Sequence, residues 1–345
     1  MQGTSATTLD PTGPATRAAT RAQLAQFLKN LDRVLEEGKE PDPTPTPEPT
    51  ATPTATPIPS DVFPLSMKKP LPIVAGPNQT LAINPDGTVR AVGLNEGGGL
   101  NVGGWTDIVS LSSLKNFTVA VKRDGTVVCT GTYSDSWGPE LDTLRDVVSI
   151  VSGGGIMNSF KAALHSDGTV TYINSESTRK LDWTNIVQIC GGSGYLIGLR
   201  DDGTVVATGV DTFHKGCLDV EDWTGITFIS TGQYTTFGVK ADGTVVATGE
   251  KAAGKLNVGD WTDIVAVAGG GVYTVGLRKD GTLVGTGLNG YGQMDFADWR
   301  DIVAVSVNPT GTHTVALRRD GTVLATGNTG DGRCDVDGWT GITLQ

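Results

Sequence analysis

Residues that could do chemistry are few in this chain, and they do not converge in the sequence. Gly249 to Lys255 match the glycine–lysine frame of a phosphate-binding loop, but Leu256 follows where the motif needs a hydroxyl for Mg²⁺. The histidines, His165, His214 and His313, lack the spacing of metal ligands. The four cysteines include no Cys-x-x-Cys pair, and no Gly-x-Ser-x-Gly nucleophile motif is present. We therefore predict no metal site, no cofactor and no enzymatic activity.

Two sets of aspartates could be mistaken for reactive carboxylates. Asp331, Asp335 and Asp337 lie near Gly338, but no EF-hand pattern or distal glutamate completes a calcium site, and we interpret them as a solvated turn. The second set recurs in an Asp-Gly-Thr triplet, at Asp86, Asp124, Asp167, Asp202, Asp242, Asp280 and Asp320. Because all seven stand in the same context, we interpret them as turn formers rather than catalytic groups.

The triplet marks an internal repeat of about 35 to 43 residues. Asp-Gly between alternating apolar runs is typical of a β-hairpin, here expected with a type I′ turn. One large apolar residue per unit is expected to wedge between neighbouring units: Trp105, Leu144, Trp183, Trp223, Trp261, Trp299 and Trp339. Each unit has three clear strands and a weaker fourth, as at Leu256 to Val258. Seven such units predict an all-β fold, a seven-bladed β-propeller of short four-stranded blades.

The end of the chain bears on how the ring closes. Trp339 to Gln345 begin an eighth unit and then stop. Two interpretations remain open from the sequence. Either this segment helps to close the ring beside Leu71 to Ile73, or the repeat array is cut short.

A variable column lies seven positions before each hairpin aspartate. It reads Gln79, Phe117, Phe160, Tyr195, Thr235, Tyr273 and His313, with Tyr234 one place before Thr235. In a propeller these turns gather on one face around the central channel, where aromatic side chains are typical anchors for protein partners. We predict that Phe117, Phe160, Tyr195, Tyr234, Tyr273 and His313 bind a partner, because a packing role would repeat one residue. The alternative is that each ring covers its own blade's core.

Loops near this column add further aromatic residues that we expect on the same face. They are Tyr133, Trp137, Phe213, His214 and Tyr291. Their presence supports the interpretation that one face of the propeller recognises a partner.

The first 66 residues differ from the repeats. Apolar residues recur at three- and four-residue steps between Arg17 and Glu37, which predicts a helix with Thr20 as its N-cap. Alternating Pro and Thr between Pro41 and Pro59 favour extended polyproline II and cannot form a packed core. We predict three parts: a helical segment over 1–38, a disordered Pro/Thr linker over 39–66 and the propeller over 67–345.

The helical segment carries a resemblance of its own. Gly3 to Pro11, followed by Thr20-Arg21-Ala22-Gln23, resemble the second half of an S-layer homology repeat. That family anchors proteins to bacterial cell-wall polymers. The resemblance implies that Thr20 and Arg21 contact such a polymer and that the protein is displayed outside a bacterial cell. No signal peptide is visible in Met1 to Asp10, so we expect a fragment of a longer surface protein.

The repeats resemble the regulator of chromosome condensation family. The matching residues are the hairpin Asp-Gly-Thr-Val, Ala207-Thr208-Gly209 after it, Gly311 to Leu317, and Asn289 to Gln293 in the family's N-x-x-G-Q pattern. The resemblance implies a propeller that acts by binding. The short units are closer to a secreted bacterial propeller that inhibits β-lactamase than to the eukaryotic nucleotide-exchange factor.

The net charge of the chain limits the classes of partner that we expect it to bind. A net charge of −11 and a pI near 4.7 argue against nucleic acid and anionic membranes. We predict a non-enzymatic protein-binding module of the bacterial cell surface, whose protein partner the sequence does not identify. The alternatives are a carbohydrate-binding module, with the same aromatics stacking on sugar rings, and a guanine-nucleotide exchange factor.

Overall fold

The computed structural model describes residues 70–132, 134–154, 159–211, 213–307 and 312–344, with the side chains of 134–137 left aside. The helical pattern with Thr20 and Arg21, the Pro/Thr linker and Tyr133 lie outside the described residues. Among the described helices none is long and apolar enough to cross a lipid bilayer.

The described chain forms seven antiparallel sheets, which we call blades I to VII in chain order. The strands follow one another along each sheet, so each blade has an inner, a middle and an outer strand. Blades I to III contain β1 (Ile73–Ala75), β2 (Gln79–Ile83), β3 (Val89–Gly93); β4 (Ile108–Leu114), β5 (Phe117–Lys122), β6 (Val127–Gly131); and β7 (Val147–Gly153), β8 (Phe160–His165), β9 (Val170–Asn174), β10 (Thr178–Lys180).

Blades IV to VII repeat the same three-strand order. They contain β11 (Ile186–Gly191), β12 (Tyr195–Arg200), β13 (Val205–Gly209); β14 (Ile226–Thr231), β15 (Thr235–Lys240), β16 (Val245–Gly249); β17 (Ile264–Gly269), β18 (Tyr273–Arg278), β19 (Leu283–Gly287); and β20 (Ile302–Val307), β21 (His313–Arg318), β22 (Val323–Gly327). Helix α1 (Ser134–Leu141) follows blade II, and a 3₁₀ turn, Ala252–Gly254, follows blade V. The seven-bladed propeller predicted from the repeats is therefore confirmed.

The fourth strand is present in one described sheet only. Blade III carries β10 outside β9, whereas the other six sheets have three strands. The segment expected to be a fourth strand of a blade forms a tight turn instead, because the amide of Val258 donates to the carbonyl of Leu256 at 2.8 Å. This turn buries Val258 in the core between blades, which a further outer strand would not do.

The hairpins are of a different type from the one predicted. Of each Asp-Gly pair only the glycine has positive φ, for example +80° at Gly243, so the type I′ prediction is wrong. The amide of Gly243 donates to the carbonyl of Lys240 and the amide of Lys240 donates to that of Thr244, both at 2.9 Å. This is a type I turn followed by a left-handed glycine. It needs glycine for a second reason, because a Cβ there would lie 3.0 Å from the Cα of Asp263 in the next linker.

Wedge residues join neighbouring blades as predicted. Trp261 is buried, and its ring lies against Gly276 of the middle strand in the following blade, where any Cβ would meet the ring at 2.7 Å. Trp183 and Trp223 lie in the same way against Gly198 and Gly238. A residue without a side chain therefore makes room for the wedge in three successive blades.

The last described residues pack where blades VII and I meet. Trp339 and Ile342 are buried in one cluster with Ile73 of β1. The amide of Ile342 donates to the carbonyl of Gly321 at 3.1 Å, as that of Ile302 does to Gly281 one blade earlier. The segment thus occupies the position of a linker and leads to the start of β1, in agreement with the ring-closing interpretation.

Candidate recognition face

The repeated topology gives the propeller two faces with different chemistry. We call the face that carries the seven Asp-Gly hairpins the hairpin face. We call the opposite one, with the turns between inner and middle strands and the start of each linker, the turn face. The amide of Val210, the first residue after β13, donates to Gly194 in such a turn at 2.9 Å, which places both at the turn face.

The variable column lies inside the blades, not on the turn face. Phe117, Phe160, Tyr195, Tyr273 and His313 are all buried. The prediction that these five side chains face water is therefore wrong. The reason is that each begins a middle strand whose residues are buried on both sides by neighbouring blades.

Three side chains of the column end in a polar atom that contacts the next blade. The hydroxyl of Tyr195 donates to the carbonyl of Thr235 at 2.6 Å, and that of Tyr273 donates to the carbonyl of His313 at 2.7 Å. The Nε2 atom of His313 lies 3.0 Å from the hydroxyl of Thr80. Tyr195, Tyr273 and His313 thus make contacts between blades, so variation in the column was no sign of binding.

Blades II and III use aromatic rings without a polar tip. The ammonium of Lys161 lies 4.7 Å from the centre of the Phe117 ring, a cation–π contact between two blades. Phe160 stacks on Tyr172 at a centroid distance of 5.0 Å. Burial lowers the pKa of Lys161 to about 8. These contacts assign Phe117 and Phe160 to the core.

Exposed apolar side chains gather at the turn face. Among the described residues five large hydrophobic side chains are exposed, and four of them follow an outer strand at this face: Val210, Phe213, Leu288 and Tyr291. Phe213 and Tyr291 are the most exposed of these, at 66% and 61%. Both were expected on this face from the sequence, whereas Val210 and Leu288 were missed. Their signal was an apolar residue directly after the outer strand, where Glu250 and Asn328 stand in sister units.

The loop after blade IV holds Phe213 in an unusual backbone conformation. Phe213 and His214 have φ of +72° and +50°, and a bulky residue with positive φ is rare. From Gly209 to Trp223 this linker is longer by two residues than the linker from Gly249 to Trp261. The added length makes room for the exposed ring.

The carboxylate of Asp211 stabilises this loop through hydrogen bonds. It accepts hydrogen bonds from the amides of Lys215 and Gly216 at 3.0 and 2.7 Å and from the thiol of Cys217 at 3.2 Å. Burial works against the charged form, but the donors at Gly216 and Cys217 prevail and lower the pKa of Asp211. Burial and the Asp211 carboxylate raise the pKa of Cys217 to about 12, so the thiol stays protonated and donates.

Phe213 meets Tyr234 from the turn of blade V. Their rings are in edge-to-face contact, with centroids 5.7 Å apart and planes at 86°. Tyr234 is half-buried, so of the six residues predicted to bind a partner it is the one with an accessible aromatic side chain. Val210, Phe213 and Tyr234 are hereafter called the turn-face patch.

Two charged residues are neighbours of the patch: the amide of Glu250 donates to the carbonyl of Tyr234 at 2.9 Å, and Lys215 follows Phe213 by two positions. Glu250 accepts from the ammonium of Lys255 at 2.7 Å, and Lys215 lies 3.4 Å from its other oxygen. Hydrogen bonding from Lys255 lowers the pKa of Glu250. Lys255 is buried and also donates to the carbonyl of Gly271 at 2.8 Å. This lysine of the phosphate-loop-like sequence therefore joins two blades.

The central channel is lined by the inner strands of all seven blades and encloses about 240 Å³. Its lining, within the described part of the chain, carries serine, threonine, glutamine and cysteine but no charged side chain. The side-chain amide of Gln188 makes two hydrogen bonds to the backbone of Ile229, each 3.0 Å long. Its Nε2 donates to the carbonyl, and its Oε1 accepts from the backbone amide. This side chain therefore pairs with the open edge of the inner strand in the next blade.

Within the described ranges no three His, Cys, Asp or Glu side chains come together in a way that could hold a metal ion. His165 bonds the carbonyl of Arg145 and the hydroxyl of Thr171, each at 2.8 Å, far along the chain from His214 and His313. The ion pair between Asp331 and Arg333 occupies the acidic turn. Arg333 also donates to the carbonyl of Pro77 at 2.6 Å, so this turn helps to close the ring.

Comparisons with known proteins agree with this architecture. The model of the regulator of chromosome condensation (RCC1) repeat matches residues 264–293, which include all three strands of blade VI and the start of the linker after it. No curated protein sequence matches the chain.

Solved structures of similar fold include the following three. Prp20p from Saccharomyces cerevisiae, described with its binding to Gsp1p and histones, is 16% identical with a TM-score of 0.51, over 64% of this chain and 72% of that one. The same yeast protein bound to Kap60 is 14% identical with a TM-score of 0.55, over 84% of this chain and 87% of that one. The CRINKLY WD40 ectodomain of the Arabidopsis thaliana receptor kinase ACR4 is 13% identical with a TM-score of 0.58, over 76% of this chain and 96% of that one. The fold is that of an RCC1-like β-propeller.

Proposed function

We propose that this protein is a non-enzymatic recognition module that binds another protein through the turn-face patch. The observation that carries the proposal is the Phe213–Tyr234 pair. The backbone of Phe213 is in the left-handed region, and its exposed ring contacts the half-buried ring of Tyr234. Backbone strain of this kind is retained where a structure uses it. Aromatic rings bury much area at little entropic cost, which is why they dominate protein-binding sites.

The solved neighbours support a binding role by analogy. Their printed descriptions concern binding to Gsp1p, histones and Kap60, and an ectodomain of a receptor kinase. The analogy concerns the propeller as a scaffold, since the likeness extends to the fold and not to particular residues.

The setting we propose is the bacterial cell surface. Its support is the likeness of residues 3–23 to an S-layer homology repeat, with Thr20 and Arg21 as polymer contacts, and the Pro/Thr linker that would space the propeller from the envelope. The corresponding test is sedimentation of the chain with purified cell-wall sacculi. Arg21→Ala should reduce the bound fraction, and equal sedimentation of both forms would contradict the anchor.

The test of recognition is affinity capture followed by measured affinities. The full chain serves as bait for extracellular bacterial proteins, and each retained protein is purified and titrated against Phe213→Ser and Tyr234→Ser. We expect each variant to weaken binding by at least about tenfold, or about 1.4 kcal/mol. Lys279→Ser, on an exposed residue of the hairpin face, is the matched control and should leave the affinity unchanged.

Two results would contradict the proposal. One is a validated partner whose affinity changes with the control but not with Phe213→Ser or Tyr234→Ser. The other is saturable binding of glycans, with no protein retained, which would establish the carbohydrate alternative instead.

A further inference from the structure

The outer rim of the propeller exposes strand edges. In six of the seven sheets formed by the described residues, no strand lies beyond the outer one. In blade VI the ladder between β18 and β19 is bounded by two hydrogen bonds. The amide of Arg278 donates to Thr282 at 2.9 Å, and that of Leu288 donates to Val272 at 3.0 Å.

These two bonds determine which groups of β19 face outward. Hydrogen-bonded pairs alternate along an antiparallel ladder. The backbone groups of Leu283, Gly285 and Gly287 therefore point away from β18, toward the rim. Such a row of outward amides and carbonyls is a template for another extended chain.

Blade III shows that this edge accepts an extended segment. There β10 pairs with β9, where the amide of Leu181 donates to Val170 at 2.9 Å and the amide of Asn174 donates to Ser177 at 3.0 Å. Val170 and Asn174 stand at the positions of Leu283 and Gly287, counted from the Asp-Gly-Thr triplet. All three residues of β10 are exposed, and its attachment combines backbone pairing with two side-chain contacts, Arg179 over the Tyr172 ring at 5.3 Å and Lys180 with Asp167 at 3.9 Å.

Blade VI has the features of an edge prepared for a partner. Its outer strand β19 carries neither charge nor proline, the usual protection of an exposed edge. Gly285 is exposed, where the sister blades IV and V carry Ala207 and Ala247. The exposed side chain of Leu288 follows directly after β19, and that of Tyr291 lies three residues further on. Backbone pairing and apolar contact are thus available side by side.

Charge indicates the chemistry of the occupant. The linker from Met294 to Asp298 packs against β19, since a Cβ on Gly285 would lie 2.6 Å from the sulfur of Met294. Asp295 and Asp298 on this linker are exposed. A second copy would bring these carboxylates together, between chains that each carry a net charge of −11. Like charges at an interface are unfavourable, whereas a basic segment would complement them.

We infer that the outer edge of β19 is a docking site for an extended segment of a partner protein. The segment adds a strand to blade VI, covers Leu288 and Tyr291 with apolar side chains and places Lys or Arg beside Asp295 and Asp298. This site goes beyond the turn-face patch and shares none of its three residues, so the two are tested separately.

The probe is a labelled heptapeptide, Lys-Val-Thr-Val-Lys-Leu-Lys, titrated against the full chain by fluorescence anisotropy at low salt. Its partner probe has the same sequence with N-methyl groups on alternate amides, which keeps the charge but blocks strand pairing. We expect saturable binding of the first and at least about tenfold weaker binding of the second. Hydrogen exchange should slow at residues 283–288 on binding.

Variants locate the site. Leu288→Ser combined with Tyr291→Ser should weaken the heptapeptide by about fivefold, and Asp298→Asn by about twofold at low salt. The control, Val210→Ser with Phe213→Ser, removes exposed side chains from the equivalent positions two blades earlier and should leave the affinity for the heptapeptide unchanged. Equal binding of the methylated peptide would reduce the interaction to charge alone and overturn the inference. Absence of saturable binding up to about 1 mM, or protection elsewhere, would also overturn it.

Discussion

The hairpin face and the turn face are built by the same seven repeats, yet one is constant and the other is not. Every hairpin has an aspartate whose carboxylate accepts from the amide of the threonine two residues on, as Asp242 does from Thr244 at 2.9 Å. The turn face carries linkers of different length and a strained phenylalanine. Constant residues here meet the demands of the backbone, whereas surface chemistry lies where the units differ and the side chain is exposed.

Variation between repeats does not by itself show whether a side chain is exposed. The column from Gln79 to His313 varies as much as the linkers do, but all its members are buried. Its members pack within and between blades, as Phe160 does on Tyr172 and Tyr195 on Thr235. The following experiments separate the three roles, backbone geometry, contact between blades and exposed surface.

The largest effect is expected at the constant hairpin. Gly243→Ala should lower the free energy of unfolding by about 2–3 kcal/mol, because alanine is strained at φ +80° and its Cβ would lie 3.0 Å from the Asp263 backbone. Gly259→Ala is the matched control, since φ there is not left-handed and no atom lies within 4 Å of the added Cβ. Urea denaturation measures both. Equal stability of the two variants would contradict the role given to the hairpin glycine.

A smaller loss is expected at the contacts between blades. Tyr273→Phe should cost about 1–2 kcal/mol of unfolding free energy, because the carbonyl of His313 and the hydroxyl of Thr314 lose a buried partner. Tyr291→Phe, which removes a hydroxyl from an exposed ring, should cost nothing measurable. Affinity for a captured partner should be unchanged by Tyr273→Phe. A loss of affinity at unchanged stability would return Tyr273 to the binding site.

The pH dependence of stability tests His313 of the same column. Burial, with a further contribution from Arg333, lowers the pKa of His313 to about 3, against an ordinary value of 6.5. Since the unfolded chain then binds the proton more readily, stability falls as pH decreases through this window. Between pH 6 and pH 5 this group should account for a loss of about 1 kcal/mol.

His313→Tyr gives the control for that measurement. It introduces the residue of two sister blades, Tyr195 and Tyr273, and should flatten the stability profile between pH 6 and pH 5. An identical profile in the variant would mean that other groups produce the dependence. The hairpin aspartates do not interfere, because Thr126 and its equivalents lower the pKa of carboxyls such as Asp124 below 3.8.

The smallest effect on stability is expected at the turn-face patch. Phe213→Ser should change the free energy of unfolding by less than about 0.5 kcal/mol, because the ring is 66% exposed. Thermal denaturation with circular dichroism is sufficient to check this. A loss of several kcal/mol would show that the ring belongs to the core and remove the basis of the proposed site.

Much of the fold could be predicted because it depends on local, repeated chemistry. The Asp-Gly-Thr triplets locate the hairpins, and Trp183, Trp223 and Trp261 mark the junctions between blades. The turn type was missed because Asp-Gly also fits a three-residue turn with one left-handed residue. The absent fourth strands were missed because a short apolar run such as Leu256 to Val258 has the same pattern in a strand and in a buried turn.

The candidate site was predictable only in part. Tyr234, Phe213 and Tyr291 could be assigned to the turn face from the repeat. The column from Phe117 to His313 could not be assigned correctly, because burial between blades is a property of the closed ring. Whether a ring is covered depends on residues about 40 positions away, as in the contact of Tyr195 with Thr235.

The most direct test of the central claim is amide hydrogen exchange of the full chain with and without its captured partner. We predict slower exchange on binding in residues 213–216 and at Gln233 and Tyr234, with unchanged exchange in the Asp-Gly hairpins. Protection confined to the hairpin face, with the loop of Phe213 unaffected, would contradict the assignment of recognition to the turn face.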